Sequence, residues 1–441
     1  MGTILIRNAS IVNRGSIRKA SVLVKDSIIQ SIGCTDTVAD CTIDATGMYL
    51  LPGIIDDHVH FRDPGLTHKA TMASESRLAA LGGVTTIFDM PNTKPQTTTL
   101  QALEDKFSYA SDNCLVNYSF YLGATNDNIA QIEKLQPGQA CGVKLFMGSS
   151  TGNMLVDGKE NLNRLFSASP AIIAAHCENQ QIIERNIERY RKECGGEPSV
   201  EYHHLIRSID ACYSSTATAI ELADNNNARL HVMHISTDKE LGLFEDKPLD
   251  KSKKITAEFC PHHLFFTGRD MTATHGAIKC NPAIKGEECR KALRTALPTD
   301  KCDVVGTDHA PHLWSEKQGG ALTAASGMPV LPYSLNVMLE LMDLGYITIT
   351  QIAYKMAHNP ATLFGIQKRG YIEPGYFADL VLVAKESFTA DGTNLPSICK
   401  WSPFTGHRFD WKVKYTIVNG NIINNCGVLD TDYCGQRVKF E

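Results

Sequence analysis

Between residues 52 and 371 the chain repeats one pattern eight times: a short apolar run followed by a stretch with helical spacing. The runs lie near 53–60, 83–89, 115–122, 140–147, 171–176, 229–235, 254–260 and 302–308. The stretches between them read as helices; in VLPYSLNVMLELM, for example, Leu331, Leu335, Met338 and Met342 recur at spacings of four, three and four. Short strands alternating with helices are the signature of repeated βα units and a parallel sheet. Eight is the number of strands that closes a barrel, so the chain is expected to be of the α/β class, with a (β/α)8 TIM-like barrel.

The two ends have a different texture. ILIRNASIVN and ASVLVKDSIIQSIG near the start, and ADLVLV (378–383) and KYTIVNGNIIN (414–424) near the end, read as β-strands punctuated by Asn, Gly and Ser. Strand-rich ends around a different middle predict a small β-sandwich domain built from both termini. Residues 1–51 and 372–441 would form it, and residues 52–371 the barrel.

What ends each run carries the chemistry. The first run continues as GIIDDHVHFRDPG, where His58, His60 and Arg62 share strand parity and so one face. Later ends supply Asn92 in DMPN, Lys144 in GVKLFMG, His176 in AAHCEN, His234 in HVMHIS, the pair His262 and His263 in CPHH, and Asp308 and His312 in GTDHAPH. In a (β/α)8 barrel these ends converge on one mouth, where active sites sit. Four histidines and an aspartate make a nitrogen and oxygen donor set suited to zinc and tolerant of manganese or cobalt. They exceed what one tetrahedral ion with an open position needs, so two metals with an anion between them are the economical reading. Lys144 is the odd member, because an ammonium would be repelled by two dications. Reaction of its neutral amine with carbon dioxide would give a carbamate able to bridge them; alternatively the side chain points out of the barrel or binds phosphate. Strand parity pairs Lys144 with Phe146 but does not say which face is inward.

A net charge of −5 argues against nucleic acid or an anionic membrane as the main partner, leaving a small-molecule substrate. No run approaches the roughly 18 to 20 apolar residues of a membrane span, and the start MGTILIRNASIVN lacks the pattern of a signal peptide. The expectation is a soluble, cytoplasmic protein. Fourteen scattered cysteines with no CxxC pair fit reduced thiols better than a disulfide framework or a zinc ribbon, and Cys177 reads as a small packed residue.

Taken together and in order, GIIDDHVHFRDPG, GVKLFMG, AAHCEN, HVMHIS and GTDHAPH resemble the cyclic amidohydrolases of the amidohydrolase superfamily, and among them most closely the dihydroorotases. The resemblance extends to the return at RGYIEPGYFADLVLV. It implies that His58, His60 and Asp308 hold one zinc ion, that His176 and His234 hold a second, and that carbamylated Lys144 bridges them. Some dihydroorotases have an aspartate at this position; this chain has the lysine. The implied reaction is reversible cyclisation of N-carbamoyl-L-aspartate to L-dihydroorotate with loss of water, a step of pyrimidine biosynthesis, with Asp308 as the proton carrier. Arg62, Asn92 and His312 would hold the ring carboxylate, and Asn281 in KCNPAIK would be a further substrate contact. Dihydropyrimidinases, hydantoinases and allantoinases share the ligands, although allantoinases tend to carry Asn where Arg62 stands. Scaffold relatives that lose ligands are a third class, and all six ligand positions are filled here. His262 and His263 would serve structure, while His231 and His309 are expected to be ordinary hydrogen-bonded histidines. The Gly/Ser-rich segment 148–158 would be either a lid carrying Thr151 or a plain connection. Dimers and tetramers both occur among such relatives, so a homo-oligomer is compatible with the resemblance.

Overall fold

The structure is a computed structural model that describes residues 2–33, 37–148, 154–156 and 158–441. Five strands open the chain: β1 (Thr3–Asn13), β2 (Ser16–Lys25), β3 (Ile28–Ile32), β4 (Cys41–Asp44) and β5 (Tyr49–Pro52). Eight follow at intervals: β6 (Ile54–Val59), β7 (Val84–Asp89), β8 (Asn117–Gly123), β9 (Gly142–Phe146), β10 (Ile173–His176), β11 (Leu230–Val232), β12 (Ile255–Phe259) and β13 (Val304–Val305). Four close it: β14 (Leu380–Thr389), β15 (Arg408–Val418), β16 (Asn421–Asn425) and β17 (Val428–Leu429).

Strands β6 to β13 pair in sequence order, each parallel to the next. The sheet nearly closes on itself where Val59 meets His309 in an isolated parallel bridge, and the His60 N–H donates to the His309 carbonyl at 2.8 Å. The seam of the barrel therefore passes through the segments that carry His58, His60 and Asp308. This is the TIM-like architecture that the eight runs predict.

The end strands form one connected sheet in the order β17-β16-β15-β14-β5-β1-β2-β3, with β4 on β1. Its junction is the antiparallel pairing of β5 with β14, which joins the N-terminal strands to the C-terminal ones. Period-two alternation decides how this sheet sits. Leu380 and Leu382 enter the sheet's own core with Ile4, Ile6, Val22, Leu50 and Ile417, whereas Val381 and Val383 join the barrel's core with Leu51 and Val84. Both faces of β14 are thus buried over Leu380, Val381, Leu382 and Val383, one against each core. Among the described residues no helix is long and apolar enough to cross a membrane.

One buried ion pair fixes the mouth. Asp89 at the end of β7 accepts the Phe61 N–H at 2.7 Å and pairs with Lys106 at 2.5 Å, and Lys106 also donates to the Met90 carbonyl at 3.0 Å. Both side chains are buried, so removing the cation strands a carboxylate in the interior. Lys106→Met is expected to cost about 3–5 kcal/mol of stability, read from urea unfolding.

Candidate metal centre

The end of β6 turns His58 and His60 toward Asp308, which follows β13. Their Nε2 atoms lie 3.2 and 3.1 Å from Asp308 Oδ1, and the three ligand atoms are all within 4.8 Å of one another. Each imidazole is fixed from behind: His58 Nδ1 meets Glu258 Oε1 at 3.0 Å and His60 Nδ1 meets Asn92 Oδ1 at 2.8 Å. Oxygen acceptors at Nδ1 favour the tautomer that, once the ring is neutral, turns the Nε2 lone pair toward the centre. Burial works against charge on His58, yet Glu258 and Asp308 push its imidazole up to about 9. The same negative field suits a dication, whose arrival would release that proton. For Asp308, burial opposes ionisation, but His58 and His60 hold the carboxyl well below its usual range.

A second pair of nitrogens stands nearby. His176 Nδ1 lies 3.0 Å from His234 Nε2, and burial keeps both imidazoles below the usual histidine range, hence neutral and able to donate lone pairs. His176 Nε2 is held by Glu178 at 2.9 Å, and Glu178 is in turn paired with Arg207. Burial opposes the charge of Glu178, but Arg207 and then His176 bring its carboxyl down to about 2. The backbone N–H of His234 donates to Glu258 Oε1 at 2.8 Å, so a single carboxylate orients residues of both pairs.

Lys144 points into the barrel, which answers the question strand parity leaves open. It is 1% exposed, its Nζ lies 2.8 Å from Met233 Sδ and 4.9 Å from the Phe146 ring centre, and among the described residues it has no ion pair. Burial lowers its amine to about 8. A lysine whose amine is brought toward neutrality, on the same cavity wall as four imidazoles, fits a carbamate ligand. The donor set as a whole fits two borderline metals without change of fold.

His58, His60, Lys144, His176, His234 and Asp308 all line one cavity of about 500 Å³. Arg62, Asn92, Asn281 and His312 line it as well. Arg62 donates from Nε to the Pro311 carbonyl at 3.1 Å, and its Nη2 lies 3.1 Å from His312 Nε2. Lys69 stands 3.1 Å from His312 Nδ1 and pairs with Glu316 at 2.8 Å. Burial first, and then Arg62 and Lys69, keep His312 neutral. Asn281 Oδ1 faces His203 Nε2 at 3.1 Å, which leaves the amide NH2 as its donor group. Arg62, His234 and Asp308 have φ of 67°, 41° and 47°, left-handed values costing non-glycine residues of order 1–3 kcal/mol each and typical of functional sites.

Sequence reasoning passes over Glu178, Glu258, Arg207, Lys69 and Lys279, although Lys69, Arg207 and Lys279 line the cavity. For Glu178 a signal exists, since it stands two residues after His176 in AAHCEN. Asn92, read as a substrate contact, also fixes His60. His231 Nδ1 bonds Thr256 while its Nε2 stands 3.1 Å from Asp57, and His309 bonds Glu75 and accepts the Leu331 N–H, so both are hydrogen-bonded histidines, as expected. His262 and His263 are buried and absent from the cavity wall. Cys177 is buried, and burial pushes its thiol far up. Thr151 lies outside the described residues; of its segment, Val156 donates to the Phe146 carbonyl at 3.1 Å, along the edge of β9.

Residues 49–423 match the model of the amidohydrolase family. The chain is 32% identical to the dihydroorotase of Methanosarcina acetivorans over 439 residues, covering 96% of this chain and 92% of that protein. It is also 32% identical to the dihydroorotase of Halobacterium salinarum, over 83% of this chain and 84% of that one. Among solved structures, the L-hydantoinase (dihydropyrimidinase) of Arthrobacter aurescens superposes with a TM-score of 0.92 at 27% identity, with full coverage of both chains. A barrel of eight parallel strands, a polar mouth that can hold metal, and relatives matched along nearly the whole length agree: the chain belongs to the amidohydrolase family.

Proposed function

We propose that the protein is a zinc-dependent dihydroorotase, catalysing the reversible cyclisation of N-carbamoyl-L-aspartate to L-dihydroorotate and water. The observation that carries this reading is Arg62, 5% exposed at the cavity wall with Lys69 and a neutral His312 beside it. A buried guanidinium with no carboxylate partner among the described residues calls for an anion, and among the cyclic amides of this family's reactions dihydroorotate is the one that carries a ring carboxylate. The similarity to dihydroorotases at 32% identity supports the same choice.

His58, His60 and Asp308 would hold one ion, His176 and His234 the other, and carbamylated Lys144 would bridge them. When bound, the metals supply Lewis acidity: they lower the pKa of water and polarise a carbonyl oxygen. The chain's own groups do the rest. Arg62, Asn92 and His312 grip the carboxylate, and the NH2 of Asn281 donates to the ring. In hydrolysis Asp308 takes the proton of the attacking water and passes it to the ring nitrogen as the carbon–nitrogen bond breaks. In cyclisation it takes a proton from the ureido nitrogen, which attacks the side-chain carboxyl carbon, and returns it to the departing oxygen. Its ionised state before attack is what permits both directions.

A hydantoinase-type activity is the second reading. It is favoured by the 0.92 TM-score and by the apolar part of the cavity wall, where Ile183, Ile187, Ile206 and Leu322 could face a hydrophobic ring substituent. A side-by-side assay decides between them. L-Dihydroorotate is expected to be the preferred substrate over dihydrouracil, hydantoin and allantoin, and preference for any of the last three would overturn the proposal.

A further inference from the structure

We propose that Cys260, His262 and His263 form a third metal site, a thiolate–imidazole centre for a borderline-soft dication such as zinc, separate from the centre at the cavity. The chain leaves β12 at Phe259 and enters the short helix Pro261–Phe265, and this turn gathers the three side chains. Their ligand atoms all lie within 4.8 Å of one another. Cys260 and His262 are completely buried and His263 is 3% exposed.

The second observation is an unmet need. Among the described residues neither ring nitrogen of His262 has a hydrogen-bond partner, and Nδ1 of His263 has none, although its Nε2 meets the Pro282 carbonyl at 3.1 Å. A neutral imidazole presents one N–H and one lone pair, and leaving such groups unpaired in the interior costs about 1–3 kcal/mol each. The remaining way out, protonation, is closed: burial lowers His262 to about 4 and His263 further. Two lone pairs and a thiol facing one point are what a metal ion would satisfy at once.

Geometry and charge both allow it. In a tetrahedral zinc site with ordinary bond lengths, sulfur and nitrogen ligands stand about 3.5 Å apart, so the three atoms need only draw inward by small side-chain rotations. The Cys260 thiol now donates to Glu258 Oε1 at 3.5 Å, and among the described residues Glu258 Oε2 has no hydrogen-bond partner. On binding, the thiol proton leaves to solvent, the sulfur binds as thiolate, and the net positive charge of the ion and thiolate lies against Glu258. The ligands at the cavity contain no sulfur, which makes this site separately observable.

The test uses the full chain, stripped of metal and reloaded with Co(II). Thiolate ligation gives a near-ultraviolet sulfur-to-cobalt charge-transfer band that nitrogen and oxygen ligands do not give. The wild-type protein is expected to show that band and to take up one equivalent more than the cavity centre holds. Cys260→Ser and His262→Gln should each lose the band and that equivalent while retaining the rest. No band in the wild type, or a band that persists in either variant, would overturn the site. Neither result touches the substrate assignment, which is read from turnover.

Discussion

Lys144→Ala is expected to lower kcat/KM by at least about a thousandfold, roughly 4 kcal/mol of transition-state stabilisation, and to reduce bound metal below two ions per chain. The argument starts from the side chain's surroundings. Lys144 is 1% exposed, has a thioether and an aromatic face for neighbours and no ion pair among the described residues, and has its amine lowered to about 8 by burial. Carbamylation consumes the neutral amine: a bond forms between Nζ and the carbon of carbon dioxide, and one amine proton departs. The product would replace a cation by an anion with two oxygens on the wall that also carries His58, His60, Asp308, His176 and His234. On the proposed reading, alanine would remove that anion and leave two ions without a group to screen their repulsion. Short carboxylates such as acetate or propionate should restore part of the activity, because they supply the missing oxygens without the tether. Metal analysis and turnover are measured on the same sample. Full activity with two ions retained would exclude the bridge.

The barrel was legible because a period of two for strands and of 3.6 for helices is written in single residues. The strand ends were less so, for a reason the site itself supplies. The runs 229–235 and 302–308 shorten to Leu230–Val232 and Val304–Val305, and His234 and Asp308 lie beyond those strand ends in left-handed backbone conformations. Those residues were recognisable by type, but the distortion that aims them was not. Lys144 shows a different limit: parity groups it with Phe146 and is silent about direction until the neighbouring strands are placed. Glu258 was illegible altogether. It sits in an apolar run, and its bond to His58 joins residues 200 positions apart, a contact that only barrel closure creates. Cys260, His262 and His263 stand together in CPHH, yet what distinguishes them is that, among the described residues, both nitrogens of His262 and Nδ1 of His263 have no hydrogen-bond partner, which no local pattern reveals.

Arg62→Met separates a carboxylate-binding site from a merely structural arginine. Its guanidinium is tied by Nε to the Pro311 carbonyl and by Nη2 to His312, and the residue lines the cavity. Methionine keeps much of the apolar stem and removes the charge and every donor. A buried charge-assisted pair lost from one side costs about 2–5 kcal/mol, so kcat/KM for L-dihydroorotate should fall by roughly two to three orders of magnitude. Dihydrouracil has no carboxylate to lose, so its slow hydrolysis should change by less than about tenfold, within about 1.4 kcal/mol. Metal content should stay at the wild-type level, because neither imidazole of the GIIDDHVHFRDPG stretch is hydrogen-bonded to Arg62: His58 leans on Glu258 and His60 on Asn92. Arg62→Lys should recover little, since an ammonium cannot reproduce a planar fork that grips two carboxylate oxygens while holding the Pro311 carbonyl. Equal losses on both substrates, or loss of metal, would show that Arg62 supports the loop at φ 67° rather than the substrate, and the choice of dihydroorotate over a neutral ring would fall with it.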